Sequence, residues 1–250
     1  MASAFKSALP FWIGLSMGPI IIAAALLGGF WVLSIPFVIW YVFPILDAVL
    51  GKEKTNPAPS EKGVQLKWHR LNLLLWPILQ FFILFGLIAF HKGLDLNGWE
   101  LTGLFFSLGV MTGTIGINYA HELMHPPRRG DRWLADILMA MVLYSHFRSE
   151  HHLVHHRYVG TPRDAVTARY NENVHRFFIR VLKASYLSAF RAEAQRLTGQ
   201  GLAWYDLKNP FWIYWLLQLL MIGFAYVWRV FGVSFYLLFR PLLRFFISSL

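Results

Sequence analysis

Long apolar runs separated by polar segments organise this chain. Between Lys6 and Asp47 there are forty residues without a charged side chain, and the pair Gly28-Gly29 divides them into two runs. Each run matches the roughly 20 residues that a membrane-spanning helix needs, with the glycine pair as the turn. The hydrophobic pattern predicts five spans, at about 10–28, 30–50, 71–90, 99–120 and 211–228.

The polar segments differ greatly in length. The loops 51–70 and 91–98 are short, whereas 121–208 is a long histidine-rich region with scattered apolar residues. The tail 229–250 is apolar but interrupted by arginine and proline, so we expect a degenerate tail rather than a sixth complete span. The predicted fold class is therefore an all-α integral membrane protein, with 1–250 as a single membrane domain.

Composition supports a membrane protein. The chain is 56% hydrophobic and only 14% charged, whereas soluble domains carry about 25% charged residues. A net charge of +10 can indicate a protein that binds nucleic acid. In this chain, however, the basic residues concentrate on one predicted side of the membrane. With alternating spans, nineteen Lys and Arg lie on the side of the N-terminus and the histidine-rich region, against one, Lys92, on the other. This asymmetry predicts a multi-pass protein with both of those segments in the cytoplasm and no nucleic-acid partner.

The chain contains no cysteine. Disulfides, a thiolate nucleophile, cysteine-bound zinc and a built-in iron–sulfur centre are therefore excluded. If the chemistry needs electrons, another protein has to deliver them.

The stretch HELMH, 121–125, matches the H-E-x-x-H pattern of zinc peptidases. The spacing of four places His121 and His125 on one helix face, about one turn apart. Pro126 and Pro127 follow, so the helix should end near His125. Here the helix dipole favours positive charge, such as a metal ion.

A second stretch, SEHHLVHH at 149–156, repeats the four-residue spacing in His151 and His155 and adds His156 as a neighbour. His152 points about 100° away from His151 on an ideal helix and is a weaker candidate ligand, and His146 is equally well a structural histidine. Three carboxylates near these histidines are candidates for orienting the imidazole rings through their second N–H group: Glu122, Glu150 and Asp164.

One catalytic zinc needs three protein ligands and a water molecule. A zinc peptidase would use His121, His125 and a distant third ligand, with Glu122 as general base, and would leave the second histidine stretch without a role. Five clustered imidazoles suggest two ions or an ion of higher coordination number, and nitrogen ligands suit iron, copper or zinc. We therefore interpret the zinc-peptidase match as accidental and keep it as an alternative.

The motifs resemble those of the bacterial alkane 1-monooxygenases, a group of integral-membrane enzymes in the fatty acid desaturase superfamily. NYAHELMH (118–125) and DRW (131–133) are similar to the first histidine box of that group, and SHFRSEHHLVHHRYVGTPRDAVTAR (145–169) to the second. WYVFPILDAVLGKEKTNP (40–57) looks like the end of its second helix and the following loop. The resemblance extends from about residue 36 to residue 228.

The resemblance implies a six-helix enzyme of the bacterial inner membrane with two non-haem irons. Such an enzyme would use O2 to hydroxylate the terminal carbon of an alkane taken from the lipid phase, with electrons from rubredoxin and rubredoxin reductase. The residues that carry over as iron ligands are His121, His125, His151, His155 and His156. Trp40 on the second helix is a candidate for limiting the substrate channel, or alternatively an interfacial anchor.

The sequence also departs from that group. A third box of the form N-Y-x-E-H-Y-G-L and a final one like H-S-D-H-H have no counterpart, because no histidine follows His175. We therefore expect a truncated or frame-shifted member that binds one iron or an incomplete pair, and both an active and an inactive chain remain open. A fatty acid desaturase or aromatic-methyl hydroxylase, and a catalytically dead metal-binding membrane protein, remain as alternatives.

Overall fold

The computed structural model describes residues 8–51 and 67–248, with side chains described up to residue 232, and all regular structure in these ranges is helical. Most of the predicted polar loop 51–70 lies outside the described residues. The helices are α1 (Ala8–Leu27), α2 (Gly29–Leu50), α3 (Lys67–Gly93), α4 (Gly98–Met124), α5 (Arg129–Met141), α6 (147–158), α7 (Val174–Thr198) and α8 (Phe211–Ser248).

Within the part of the chain that the structure describes, five helical segments are long and apolar enough to cross a membrane: α1, α2, α3, α4 and the portion Phe211–Gly232 of α8. They coincide with the five predicted spans, so the prediction of an all-α, multi-pass membrane protein is confirmed. α8 continues without a break through the predicted tail to Ser248. Arginine is a good helix former, so interrupting the apolar run with arginines does not by itself end the helix.

The described residues form two compact units. The first contains those up to Leu123 and those from Gly223 onward, and the second is Met124–Ile222. Nothing in this division tests the prediction of a single membrane domain.

In the first unit, small residues allow α2 and α4 to approach closely. A Cβ atom added at Gly103 would lie 2.7 Å from Cγ2 of Val32. One turn further along α4, the hydroxyl of Ser107 donates a hydrogen bond to the carbonyl of Val32. Small residues at such contacts are typical of helices that pack within membranes, where backbones must come close to gain van der Waals contact.

Buried polar side chains link the other spans of this unit. The side-chain amide of Asn72 on α3 donates to the hydroxyl of Tyr119 on α4, at 2.8 Å, and to the carbonyl of Phe11 on α1, at 2.7 Å. Within α3, the indole of Trp76 donates to Gln80 Oε1 at 2.9 Å. A polar group inside a membrane needs a partner within the protein, and these bonds therefore select one arrangement of α1, α3 and α4.

The turn between α1 and α2 is formed by two glycines with positive φ, Gly28 at 63° and Gly29 at 57°, as their pairing in the sequence predicts. Its backbone is bonded by a residue from another helix, since Glu100 Oε1 accepts from the amide of Gly29 at 2.5 Å. Glu100 also closes the first turn of α4, where its Oε2 accepts from the amide of Asn97 and Asn97 Oδ1 accepts from the amide of Glu100. This reciprocal capping fixes the start of α4.

The second unit consists of α5, α6, α7 and the start of α8. Its apolar core joins Ala189 on α7 to Phe211 and Tyr214 on α8, with Phe190 and Trp215 packed against them. α7 begins where Asn173 Oδ1 accepts a hydrogen bond from the amide of Arg176, at 2.9 Å. Unusually many buried positions of this unit are polar or charged: Asp131, Asp136, Ser145, His146, Ser149, Glu150, His151, Asp164, Ser185, Glu193 and Asn209. Such a core depends on paired polar groups.

Candidate metal centre

The two histidine-rich stretches meet in space. α4 ends at Met124, ahead of Pro126-Pro127 as predicted, and His125 follows as the first residue beyond the helix. Its Nε2 lies 3.2 Å from Nε2 of His151, which is 6% exposed at the junction of two segments of α6. The central expectation from the sequence, that imidazoles from separate segments converge, agrees with this contact.

A change of helix type within α6 brings in a third imidazole. α6 consists of an α-helical turn Phe147–Glu150, a π-helical turn His151–His155 and an α-helical turn His156–Tyr158. In a π-helix the hydrogen bonds join residues five apart, so residues at this spacing face one another. Accordingly, Nε2 of His156 lies 2.8 Å from Nε2 of His151, and the rings of His125 and His156 stack with centroids 5.2 Å apart.

The spacing of these nitrogens fits metal ligation. Two nitrogens bound at right angles to one ion, through bonds of about 2.1 Å, lie about 3.0 Å apart. The separations of 3.2 Å and 2.8 Å between His151 Nε2 and its two neighbours lie on either side of this value. A single shared proton satisfies only one of the two contacts that His151 Nε2 makes. The donor set is therefore suited to a metal ion that prefers nitrogen.

A buried carboxylate orients the imidazole ring of His155. Its Nδ1 lies 3.0 Å from Oδ2 of Asp164, which is 2% exposed, and its ring stacks on His151 at 5.4 Å. Asp164 is itself fixed, because Oδ2 accepts from the hydroxyl of Thr167 at 2.6 Å and Oδ1 from the amide of Val166 at 3.1 Å. A bond at Nδ1 sets the tautomer that leaves Nε2 of His155 with its lone pair.

The loop that carries Asp164 is anchored by a guanidinium group. Arg180 on α7 donates to both carboxylate oxygens of Glu172, at 2.7 and 2.6 Å, and to the carbonyls of Ala165 and Thr167, at 2.7 and 3.1 Å. These bonds from Arg180, together with the amide of Arg169, lower the pKa of the Glu172 carboxyl to about 2. α7 thereby fixes the backbone on both sides of Thr167.

Glu150, the second predicted carboxylate, is buried directly before His151. It is 1% exposed, and its Oε1 has no hydrogen-bond partner in the described part of the chain. Burial raises the pKa of this carboxyl to about 7; the charge of Asp164 adds to the rise and that of His155 opposes it. A buried carboxyl next to converging imidazoles is consistent with a cation nearby.

His121 and Glu122 belong to the first unit. His121 lies on the last turn of α4, four residues before His125, and its Nδ1 is 3.3 Å from Oε1 of its neighbour Glu122. The side chain of Glu122 is 63% exposed. In the same unit, Trp40 lies on a π-helical turn of α2, is 53% exposed and contacts the edge of Phe106 with ring centroids 6.1 Å apart.

Two further histidines of this region lie in different surroundings. His152, the weaker candidate ligand, has its ring 5.3 Å from that of His125. Burial and the charges of His125 and His156 lower its pKa, while a hydrogen bond to the carbonyl of Met124 opposes them. His146 lies instead between the rings of Tyr144 and Tyr186, at 4.4 and 5.1 Å, and burial lowers its pKa to about 4.

A cavity of about 410 Å³ lies in the second unit beside His125 and His152. Four basic side chains line it: Arg132, Arg148, Arg196 and Lys208. Three other lining residues form a buried hydrogen-bonded group. The hydroxyl of Ser149 donates to Glu193 Oε1 at 2.5 Å, and the same hydroxyl lies 3.0 Å from that of Tyr214. These residues are distributed along the sequence between 132 and 214, without a local motif, so sequence reasoning did not find them.

Comparison with known proteins gives a consistent assignment. The sequence profile of the family described as "Fatty acid desaturase" matches residues 97–249. The chain is 32% identical over 214 residues to Alkane 1-monooxygenase 1 of Pseudomonas aeruginosa, which covers 83% of this chain and 56% of that protein.

Two other monooxygenases are also similar to this chain. The Alkane 1-monooxygenase of Pseudomonas putida is 35% identical over 175 residues, 68% of this chain and 43% of that protein. The Xylene/toluene monooxygenase hydroxylase component of the same species is 28% identical over 220 residues, 82% of this chain and 56% of that protein. The chain thus spans about half the length of the curated relatives it matches.

Proposed function

Because the chain belongs to the fatty acid desaturase family, as its motifs predicted, we propose that it is a membrane-bound alkane 1-monooxygenase. The reaction inserts one atom of O2 into the terminal C–H bond of a medium- or long-chain alkane and gives a 1-alkanol. The second oxygen atom leaves as water, after uptake of two electrons and two protons. The observation that supports this proposal most directly is the convergence of His125, His151 and His156 through their Nε2 atoms.

In this proposal the metal is iron, held by the five predicted histidines: His121, His125, His151, His155 and His156. When bound, iron supplies the activation of O2, and histidine nitrogens are suitable ligands for it. His121 joins the set on account of its four-residue spacing from His125 along the chain. The number of irons is part of the proposal, with two as the number that the family resemblance implies.

The remaining residues hold and shield these ligands. Asp164 orients the ring of His155 through Nδ1, and Glu150 places a buried carboxyl beside the cluster. Glu122 has the corresponding place beside His121. We infer that an apolar substrate enters from the lipid phase, and that the bulk of Trp40 sets the longest chain accepted. The protein would lie in the bacterial inner membrane with the histidines at the cytoplasmic face, as the distribution of Lys and Arg predicts.

The absence of cysteine means that electrons come from another protein, for which we propose rubredoxin with its reductase. The basic cavity beside His125 offers a docking place for an acidic region of this donor, because opposite charges steer and orient association. Lys208 is exposed at this cavity. Lys208→Glu should therefore raise the KM for the donor and weaken its dependence on salt concentration. Lys92→Glu, at an exposed position at the end of α3, provides the control.

Metal content tests the centre directly. We expect iron in the purified wild-type protein and its loss, by severalfold, in the alanine variants of His125, His151 or His156. His175→Ala is the matched control, since this histidine is exposed and distant in sequence from both stretches. Zinc alone, with iron absent under iron-replete growth, would favour the peptidase alternative through HELMH.

Products test the reaction. Cells that co-express rubredoxin and its reductase should convert octane or hexadecane to the 1-alkanol. Two alternatives predict other products: unsaturated fatty acids for a desaturase, and a benzyl alcohol from xylene for an aromatic-methyl hydroxylase. The relation to the xylene/toluene enzyme favours including the second of these. A protein that contains iron but forms none of these products would be a metal-binding membrane protein without this activity.

A further inference from the structure

Helix α7 has one face that packs into the second unit. Its buried residues recur every four positions, at Val181, Ser185, Ala189, Glu193 and Leu197. This row is the side by which α7 contacts α6 and the beginning of α8. A helix that is buried along one row normally exposes polar side chains on the others.

Part of the exposed side of α7 is apolar instead. Four large residues form what we call the α7 stripe: Phe178 is 60% exposed, Ile179 73%, Leu182 46% and Tyr186 37%. At 100° per residue they fall within an arc of about 100° on the helix surface. A contiguous group of large apolar side chains on the surface marks a site of interaction with a membrane or another molecule.

Basic residues border this stripe. Arg176, Lys183 and Arg191 are exposed, and the helical repeat places them on the adjacent arc, beyond the edge of the stripe. An apolar stripe flanked by arginine and lysine is the pattern of helices that lie in the surface of a bilayer containing anionic lipid. A protein partner would match the apolar residues equally well, but the basic border favours phosphate-bearing headgroups.

Contacts with the fifth span put one end of the stripe at the membrane boundary. The hydroxyl of Tyr186 accepts a hydrogen bond from the indole of Trp215 at 3.2 Å, and its ring lies 5.8 Å from that of Phe211. Phe211 is the first residue of the span Phe211–Gly232. The stripe therefore extends from the point where α8 enters the membrane, along α7, towards Phe178.

The loop that precedes this span has the same character. It exposes Trp204 by 49%, Tyr205 by 63%, Leu207 by 88% and Trp212, at the start of the span, by 41%. Tryptophan and tyrosine concentrate at membrane–water interfaces, where their rings meet both lipid and water. The ring of Trp204 also contacts Phe190 on α7, with centroids 5.8 Å apart, so the loop packs against this helix.

We propose that α7 is an interfacial helix whose stripe, Phe178, Ile179, Leu182 and Tyr186, is immersed in the lipid leaflet on the side where α8 begins. Arg176, Lys183 and Arg191 then lie at the level of the lipid phosphates. The proposal concerns attachment to the bilayer and does not depend on the metal or on the reaction.

The lack of native cysteine allows a clean test with single-cysteine probes. Ile179→Cys is labelled with an environment-sensitive fluorophore, and Gln195→Cys, exposed on another face of the same helix, is the matched control. Both proteins are reconstituted in vesicles of phosphatidylcholine and phosphatidylglycerol. Quenching is measured with lipids that carry a nitroxide near the headgroup, and separately with aqueous iodide.

We expect the nitroxide lipid to quench the label at Ile179→Cys several times more strongly than the label at Gln195→Cys, and iodide to show the opposite order. Equal quenching by iodide at the two positions would overturn the proposal, because the stripe would then face water. Protection from both quenchers at Ile179→Cys would also overturn it, in favour of a second copy or another protein. Leu182→Cys repeats the measurement if Ile179→Cys does not give a folded protein by size-exclusion chromatography.

Discussion

At the level of single residues, Asp164 determines how His155 is presented. Its Oδ2 lies 3.0 Å from Nδ1 of His155 and is held in turn by Thr167. Asp164→Asn should lower the affinity for Fe(II) by roughly 10- to 100-fold, because an amide binds the imidazole less strongly and no longer favours one tautomer. The measurement is an anaerobic titration against a competing chelator.

Asp206→Asn is the control for this substitution, since Asp206 also accepts a backbone bond, from the amide of Lys208 at 2.9 Å, but lies in a different loop. Its affinity for Fe(II) should equal that of the wild type. An unchanged affinity in Asp164→Asn would mean that His155 is oriented by something else.

Two buried groups of the second unit should affect stability with opposite dependence on pH. Burial raises the pKa of Asp136 from 3.8 to about 6, partly opposed by Arg148, whose Nε lies 3.0 Å away. The folded protein then binds more protons than the unfolded chain between pH 4 and 6, so stability falls as the pH rises. Burial lowers the pKa of His146 from 6.5 to about 4. Here the unfolded chain binds more protons, and stability rises with pH.

Each effect is on the order of 3 kcal/mol, so in the wild type they largely cancel between pH 4 and 6. Removing one of the two titrating groups should reveal the pH dependence of stability that the other group causes. Asp136→Asn should become more stable as the pH rises through this window, and His146→Phe less stable. Thermal unfolding of the metal-free protein in detergent, with a chelator present, measures both. Parallel profiles for the two variants would contradict the assignment.

At the level of elements, α7 holds the loop that carries Asp164. Arg180 binds Glu172 through two parallel hydrogen bonds and reaches the carbonyls of Ala165 and Thr167. Lysine keeps the charge of Arg180 but cannot make this forked contact. Arg180→Lys should therefore loosen the loop and weaken Fe(II) binding by several-fold, while the helices of the unit remain folded.

Hydrogen exchange of the amides of 164–172 measures the loosening, and the chelator titration measures the binding. Arg191→Lys, on the same helix, should change neither. If exchange in the loop increases while the affinity stays constant, then the loop does not transmit the position of Asp164 to the metal ligands.

The elements also mark where prediction from sequence succeeded and where it ended. The end of α4 near His125 was predictable, because two prolines follow it. The contact between His151 and His156 was not, because helical spacing of 3.6 residues pairs His151 with His155. The π-helical turn depends on one extra residue between hydrogen-bonded partners, which no residue type in HHLVH signals.

At the level of the whole molecule, the apolar runs predicted the five spans well, since their length and lack of charge are properties of the local sequence. The division of the described residues into two compact units and the basic cavity had no such local signal, because they depend on which helices pack together. The candidate metal ligands were predicted from residue type, spacing and the family resemblance, whereas the bonds of Arg180 to the Asp164 loop required the fold.

The distribution of Lys and Arg predicts the membrane topology. Cysteine labelling in spheroplasts tests this prediction. Asp95→Cys, in the loop between α3 and α4, should react with a membrane-impermeant maleimide that is added to spheroplasts. A cysteine at Gln200, after α7, should react only after the membrane is permeabilised. The reverse pattern would place the histidines outside the cytoplasm and remove access to a cytoplasmic electron donor.

The bond between Glu100 and the turn at Gly29 has a consequence for biosynthesis. The acceptor lies 71 residues after the donor, so at about 5–20 residues per second the ribosome needs roughly 4–14 seconds to supply it. Throughout this delay the turn between the first two helices lacks this bond. The start of the fourth helix thus completes a turn that was synthesised much earlier.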